Sequence, residues 1–203
     1  MRLASSILDE ATTMTGQLPG SGVATPMTLR GVRAYVDLVP VVDECARRCR
    51  ADLGSVQDRR TLAALRALPA DVPVALSALT TQQRGVLRRM PDGCVTLEEG
   101  TVTRNLVPAV RVTAAVVAAR NWRTGLRRAT QFAPFCSRSL VLATVPDDSE
   151  ELQLEARYFG VGVAIADHAQ LDWLLYPAPF RPARTTTATW LFEERAFSQV
   201  ANA

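Results

Sequence analysis

Three stretches decide the fold: VRVTAAVVA at residues 110–118, WRTGLRRATQFAPF at 122–135 and SLVLATV at 139–145. The first is a strongly apolar run of strand length. In the second, Trp122, Leu126, Ala129 and Ala133 recur at the spacing of one helix face. The third is short and apolar, as a buried strand is. Upstream, residues 94–97 and 101–103 flank Glu98-Glu99-Gly100, a hairpin signature. Downstream, Asp147 is placed to cap a helix that Gly160 ends. Strands follow at 161–166 and 171–176. A bridge with Pro177, Pro179 and Pro182 leads to a last helix over 187–200, expected to bury Trp190, Leu191 and Phe197. The order from residue 94 onward is β-β-β-α-β-α-β-β-α. It predicts an α/β fold, with α+β as the alternative, in which a mixed central sheet is flanked by helices.

The 203 residues suit one domain with an N-terminal appendage. Residues 1–28 are rich in Ser, Thr, Gly and Pro and read as a flexible arm. Residues 29–90 read as a helical portion, with helices over 40–50, 56–68 and 80–90. In the second, Leu62, Leu65 and Leu68 should point inward. In the third, Thr80 and Gln83 should form a capping box. Residues 91–203 then form the α/β core. The succession of helix, turn and hairpin over 80–104 also fits a winged helix.

The chain has no lysine, so all 23 basic residues are Arg, which a GC-rich genome explains. Seven lie in residues 101–145 (Arg104, Arg111, Arg120, Arg123, Arg127, Arg128, Arg138) without one Asp or Glu, while the whole chain is only +3. On the helix near 121, Arg120, Arg123 and Arg127 share a face with Arg128 beside it, and Trp122 and Leu126 turn to the core. Guanidinium groups bind phosphate in a bidentate manner. The competing reading is a solvated face paired with Glu150, Glu151 or Glu155.

Other chemistry finds little footing. No stretch reaches the roughly 20 apolar residues that cross a bilayer, and the short apolar start before Asp9 and Glu10 does not suit a signal peptide. A cytoplasmic protein without membrane contact is expected. Cys45 and Cys49 continue a stripe from Leu38 and Val42 and read as small buried thiols on a helix. With Cys94, Cys136 and the single His168 they do not compose a zinc site or a disulfide framework. His168 sits in a turn-like setting, unsuited to a catalytic triad. Gly160-Val161-Gly162 ends a helix, the wrong context for a dinucleotide loop. No metal and no cofactor is expected.

The order of elements from residue 110 to 176 resembles the core of the PD-(D/E)XK nuclease superfamily, which has a restriction-endonuclease-like fold. It is most similar to small actinobacterial proteins in which a Glu-x-Lys strand runs into an Asp-Trp-Arg helix. Here the helix entry is Arg120-Asn121-Trp122-Arg123, and Tyr158-Phe159-Gly160-Val161-Gly162-Val163 matches the aromatic-Gly-Ile-Gly entry to the next strand. The resemblance implies a metal held by carboxylates, with a lysine near the attacking water. Registered on Trp122, the positions of Glu-x-Lys are Val116, Val117 and Ala118, which cannot ligate a hard cation. The implied site is degenerate, and an enzyme is not expected; a migrated site would have to use Glu98 or Glu99. The expected function is that of a non-catalytic binding or regulatory protein that contacts nucleic acid through Arg120, Arg123, Arg127 and Arg128. The alternative is a protein–protein interaction subunit of a larger complex, docking through the N-terminal arm, the 177–182 bridge and the Trp190 helix.

Overall fold

β1 (Val23–Leu29) and β2 (Val32–Pro40) open the computed structural model, which describes residues 23–167, 170–181 and 184–201. They pair antiparallel, with Leu29 opposite Val32. Arg30 and Gly31 form a two-residue turn with φ of 55° and 76°. Two positive φ values match the right-handed twist of the flanking strands. The expectation of a flexible arm to residue 28 and a helical portion from 29 therefore fails over 23–40, where the chain is a hairpin. The reason lies in β2: between β1 and the next strand it is buried on both sides from Ala34 to Leu38, so its alternation is masked by apolar residues on either face. Residues 1–22 lie outside the described residues.

α1 (Val42–Arg50), α2 (Arg59–Arg66), β3 (Val74–Ala75), α3 (Thr81–Leu87), β4 (Val95–Glu98), β5 (Thr101–Arg104), β6 (Val110–Ala118), α4 (Trp122–Ala129), β7 (Ser137–Leu142), α5 (Ser149–Phe159), β8 (Gly162–Asp167), β9 (Gln170–Leu175) and α6 (Thr187–Ala201) follow. The fold is mixed α/β. One sheet has six strands in the order β1-β2-β6-β7-β8-β9, and a second has three in the order β3-β5-β4. β6, β7 and β8 run parallel, and β9 returns antiparallel to β8. α4 and α5 are the crossovers between the parallel strands, so these two helices run parallel to one another. No helix among the described residues is long and apolar enough to cross a membrane.

The chain divides into two compact units, one of Met1–Val39 with Val112–Ala183, the other of Pro40–Arg111 with Arg184–Ala203. The hairpin β4–β5 and the last helix thus leave the α/β core over 91–203 in which the sequence reading had placed them. They join the residues of the helical portion, because β5 also pairs with β3 and because Trp190 packs with Leu62, Leu65, Cys94 and Leu106.

In the first unit, Ala24, Tyr35, Val116, Val141, Ala164 and Leu171 form a cluster on one sheet face. The other face takes α4: Gly125 lies so close to β7 that a Cβ would stand 2.4 Å from Leu140 Cδ1 and 2.8 Å from Ala119 Cβ. Helix propensity favours Ala over Gly by about 1 kcal/mol, but here the clash wins. Gly125→Ala should destabilise by about 1–2 kcal/mol in urea unfolding, whereas an unchanged midpoint would show that α4 can lift off β7 without cost.

In the second unit the expected caps form. Thr80 accepts from the Gln83 N–H while the Gln83 side chain accepts from Thr80 N–H. Asp58 caps α2 by accepting from the Thr61 N–H at 2.8 Å. Leu62, Leu65 and Leu68 are all buried as expected. α6 buries Trp190 but otherwise departs from the expectation: Phe192 and Glu194 are buried, while Leu191 and Phe197 are half-buried. Glu194 turns inward because Arg48 is there, also buried, with Nη2 and Nη1 at 2.6 and 2.8 Å from its two oxygens. Arg48 Nε donates to Glu44 at 2.7 Å, and Glu44 also accepts a bidentate pair from Arg47. Burial alone would raise the Glu44 carboxyl, but the hydrogen bonds from Arg47 and Arg48 outweigh it and hold it below its ordinary range.

The cysteine stripe is also corrected. Leu38 is in β2 and only Val42, Cys45 and Cys49 are on α1. Cys45 is half-buried with its Sγ 3.2 Å from the Ala109 carbonyl, and Cys49 is exposed. The buried thiols are Cys94 and Cys136, which burial pushes up to about 11 and about 12. All four are free.

Candidate binding surface

β6 delivers the chain to α4. It is buried almost throughout, as the central strand of a parallel sheet should be. Val116 and Val117 pair with Ser139 and Leu140 on β7. The positions that the nuclease resemblance assigns to Glu-x-Lys are thus apolar side chains in the middle of a sheet.

Asn121 starts α4 by accepting from the Thr124 N–H at 3.0 Å. Trp122, Leu126 and Ala129 face the core as expected. The helix ends at Ala129, short of residue 135, and a single 3-10 turn over Thr130–Phe132 follows. Arg123 does not stand free. Its Nη1 is 2.7 Å from Asp148 and its Nη2 2.7 Å from Glu151, and its guanidinium lies 4.2 Å over the Trp122 ring. The Trp122 Nε1–H donates to the other Asp148 oxygen at 2.8 Å. Asp148, and not Asp147, is therefore the residue before α5. Its carboxylate makes no cap, because Trp122 and Arg123 occupy it, and their hydrogen bonds hold it below its ordinary range. Hydrogen bonds to Asp148 and Glu151 raise Arg123 in turn. Asp148, Glu150 and Glu151 sit at the start of α5, where the helix dipole favours negative charge.

The other Arg of the 101–145 stretch are dispersed. Arg104 lies in the second unit, donates to the Leu65 carbonyl and stacks over Trp190 at 5.5 Å. Arg111 is at the start of β6, in the second unit. Arg138 donates to the Phe159 carbonyl at the end of α5. Arg120, Arg127 and Arg128 are exposed and have no carboxylate within ion-pair distance among the described residues. So of the four Arg assigned to one nucleic-acid face, one is neutralised by the carboxylates of the next helix and three remain.

Proximity to Asp148 and Glu151 places the N-termini of α4 and α5 side by side. The solvent face of α5 carries two large apolar side chains four residues apart, Leu154 at 72% exposure and Tyr158 at 84%. Tyr158 stacks edge-on to Phe159 at 5.0 Å. The surface across both helices holds Arg120, Arg123, Arg127, Arg128 and Arg157 against Asp147, Asp148, Glu150, Glu151 and Glu155. It is neutral overall. No sequence signal marked Leu154 and Tyr158, because an apolar pair four apart on a helix ordinarily faces the core.

Sequence reading also missed Asp37, a buried carboxylate on β2. The Thr113 hydroxyl on β6 donates to its Oδ2, and its Oδ1 has no partner among the described residues. It stands alone: no group of three or more His, Cys, Asp or Glu able to hold a metal occurs among the described residues. Glu98 and Glu99 are exposed at the tip of β4–β5 in the second unit, and His168 falls outside the described residues. Comparison with known proteins gives no match: no family model, no curated protein and no solved structure aligns with the chain.

Proposed function

We propose that this chain is a non-catalytic binding protein and that the α4–α5 face of its first unit docks a protein partner. The nuclease-like ancestry suggested by the Trp122 helix entry is part of the same proposal, with Val116, Val117 and Ala118 in place of metal-binding and basic groups. The observation that carries it is the exposure of Leu154 and Tyr158 beside the Arg123–Asp148–Glu151 cluster. An aromatic anchor with an aliphatic neighbour and a rim of mixed charge is the composition of a protein interface centre. A neutral face is a poor match for a phosphate backbone, which demands net positive charge. The Trp190 helix, part of the docking surface read from sequence, does not serve, since Trp190 is buried. Free cysteines throughout accord with a reducing compartment such as the cytoplasm.

Leu154→Asp and Tyr158→Ala should change stability by no more than about 0.5 kcal/mol, as exposed positions do. A photo-crosslinking phenylalanine at Tyr158, irradiated in cells, should give one discrete protein adduct that Leu154→Asp removes. An adduct with nucleic acid, or none, would overturn the reading. The nucleic-acid alternative at this face keeps Arg120, Arg127 and Arg128. It predicts that replacing all three by Ala abolishes binding to labelled duplex DNA followed by fluorescence anisotropy.

A further inference from the structure

A second set of exposed Arg lies in the second unit, outside α4. Residues 59–90 hold Arg59, Arg60, Arg66, Arg84, Arg88 and Arg89 against a single acid, Asp71. All six Arg are exposed, and none is within ion-pair distance of a carboxylate among the described residues. Asp58, just before α2, is occupied by hydrogen bonds from the Thr61 hydroxyl and N–H, which hold its carboxyl low.

α2 and α3 pack together in the second unit, and their solvent sides meet in an open cleft lined by Arg60, Gln82, Gly85, Val86 and Arg89. Gln82, Gly85, Val86 and Arg89 follow one another at helical spacing, with Arg84 and Arg88 one row away and Leu87 buried on the opposite side. A helix dipole would account for Arg88 and Arg89 at the end of α3. The same holds for Arg84, in the last turn of the helix, but the dipole does not account for Arg60 or for Gly85. Glycine inside a helix costs about 1 kcal/mol relative to alanine, yet a Cβ at Gly85 would meet nothing within 4 Å. No internal packing demands this glycine. At Gly125 the demand is plain; at Gly85 the helix backbone stands open to solvent.

We propose that the α2–α3 face of the second unit binds the phosphate backbone of double-stranded DNA, with Arg60, Arg84, Arg88 and Arg89 as phosphate ligands and Gly85 as the point of close approach. This goes beyond the protein-docking reading and stands on a different unit. Exposed guanidinium groups held in no ion pair among the described residues lose little on binding phosphate and release condensed counterions from the duplex. The duplex is favoured over a single strand because residues 59–90 contain no Phe, Tyr or Trp, and single-strand sites rely on aromatic stacking platforms. Gln82 on the same face supplies an amide able to reach a base edge. The β4–β5 turn with Glu98 and Glu99 is exposed and acidic in the same unit, so phosphates pass across the helices and avoid that turn.

The test is fluorescence anisotropy of a short labelled random duplex with the full chain across a salt series. Log K should fall linearly with log salt, with a slope of about −0.9 per phosphate contacted. The Arg84→Gln/Arg88→Gln/Arg89→Gln variant should lose about 1 from the magnitude of that slope for each Arg that contacts a phosphate. Gly85→Ala should melt no lower than the parent and yet bind more weakly, a combination that a structural role would not produce. Arg127→Gln/Arg128→Gln should bind as the parent does; loss there and not in the triple variant would move the contact to α4. Absence of duplex binding at low salt, an unchanged slope in the triple variant, or equal affinity for a single strand of the same length would each overturn the proposal.

Discussion

Glu194→Ala should lower the unfolding free energy by about 3–5 kcal/mol, as removal of one partner of a buried ion pair does. Glu194 accepts from both Arg48 terminal nitrogens, from the Val56 N–H at 2.9 Å and from the Trp190 Nε1–H at 3.1 Å. Removing it strands a guanidinium that is itself buried, together with two neutral donors. Arg48 retains Glu44 and the Val107 carbonyl, so its charge is not wholly abandoned. Burial alone would lower the Arg48 guanidinium, but the hydrogen bonds and charge of Glu194, with Glu44 behind them, outweigh it and raise it. The Arg48→Met/Glu194→Leu double variant should recover much of the loss, because an apolar pair avoids the desolvation that a half-removed ion pair leaves exposed. Urea unfolding of the three proteins decides the matter. A loss of about 1 kcal/mol or less in Glu194→Ala would mean that water reaches Arg48 and that the pair is not a sealed one.

Next to it, Glu193→Gln should stabilise the protein at pH 8 and leave it unchanged at pH 4. Burial raises the Glu193 carboxyl from 4.5 to about 7; Arg111 opposes the shift, and Glu194 adds to it. The folded state therefore holds the proton more tightly than the unfolded chain. Stability is greatest below the unfolded value of 4.5, declines as pH rises towards 7, and is level above that. A shift of this size corresponds to roughly 3 kcal/mol between the two ends of the window, at 1.36 kcal/mol per pKa unit. The glutamine variant should flatten that part of the curve. If its stability falls in parallel with the parent between pH 5 and pH 7, Glu193 is solvated and another group is responsible.

The two neighbours illustrate how much of α6 could be read in advance. Trp190 at a helix-face position was legible from spacing. Glu194 in the core was not, since nothing in the sequence links it to Arg48, which lies 146 residues away. The consequence is that the helix rolls: Phe192 and Glu194 turn inward while Leu191 and Phe197 are half-buried.

The same division holds in the first unit. The strand VRVTAAVVA, the Trp122 helix and the Gly160 stop at φ 65° were legible because each rests on a local rule: a run of apolar residues, a 3.6-residue period, a left-handed glycine; the β4–β5 hairpin of the second unit was legible for the same reason, from its tight turn. β2 was not, because a strand buried on both faces loses the alternation that identifies it. The Arg face of α4 was legible as a helix face but not as a charge. Local spacing puts Arg123 beside Arg127; only the parallel placement of α5 puts Asp148 and Glu151 against Arg123.

Periodicity and turn chemistry settled the α/β class and most elements from residue 42 onward, though not the short strand β3 inside the expected helical portion or the end of α4, since these signals depend on neighbours within a few positions. Which residues share a unit, which Arg keep their charge and which apolar side chains stay in water were decided by the tertiary structure, because burial and ion pairing depend on groups that are distant in sequence and meet only when the sheets assemble.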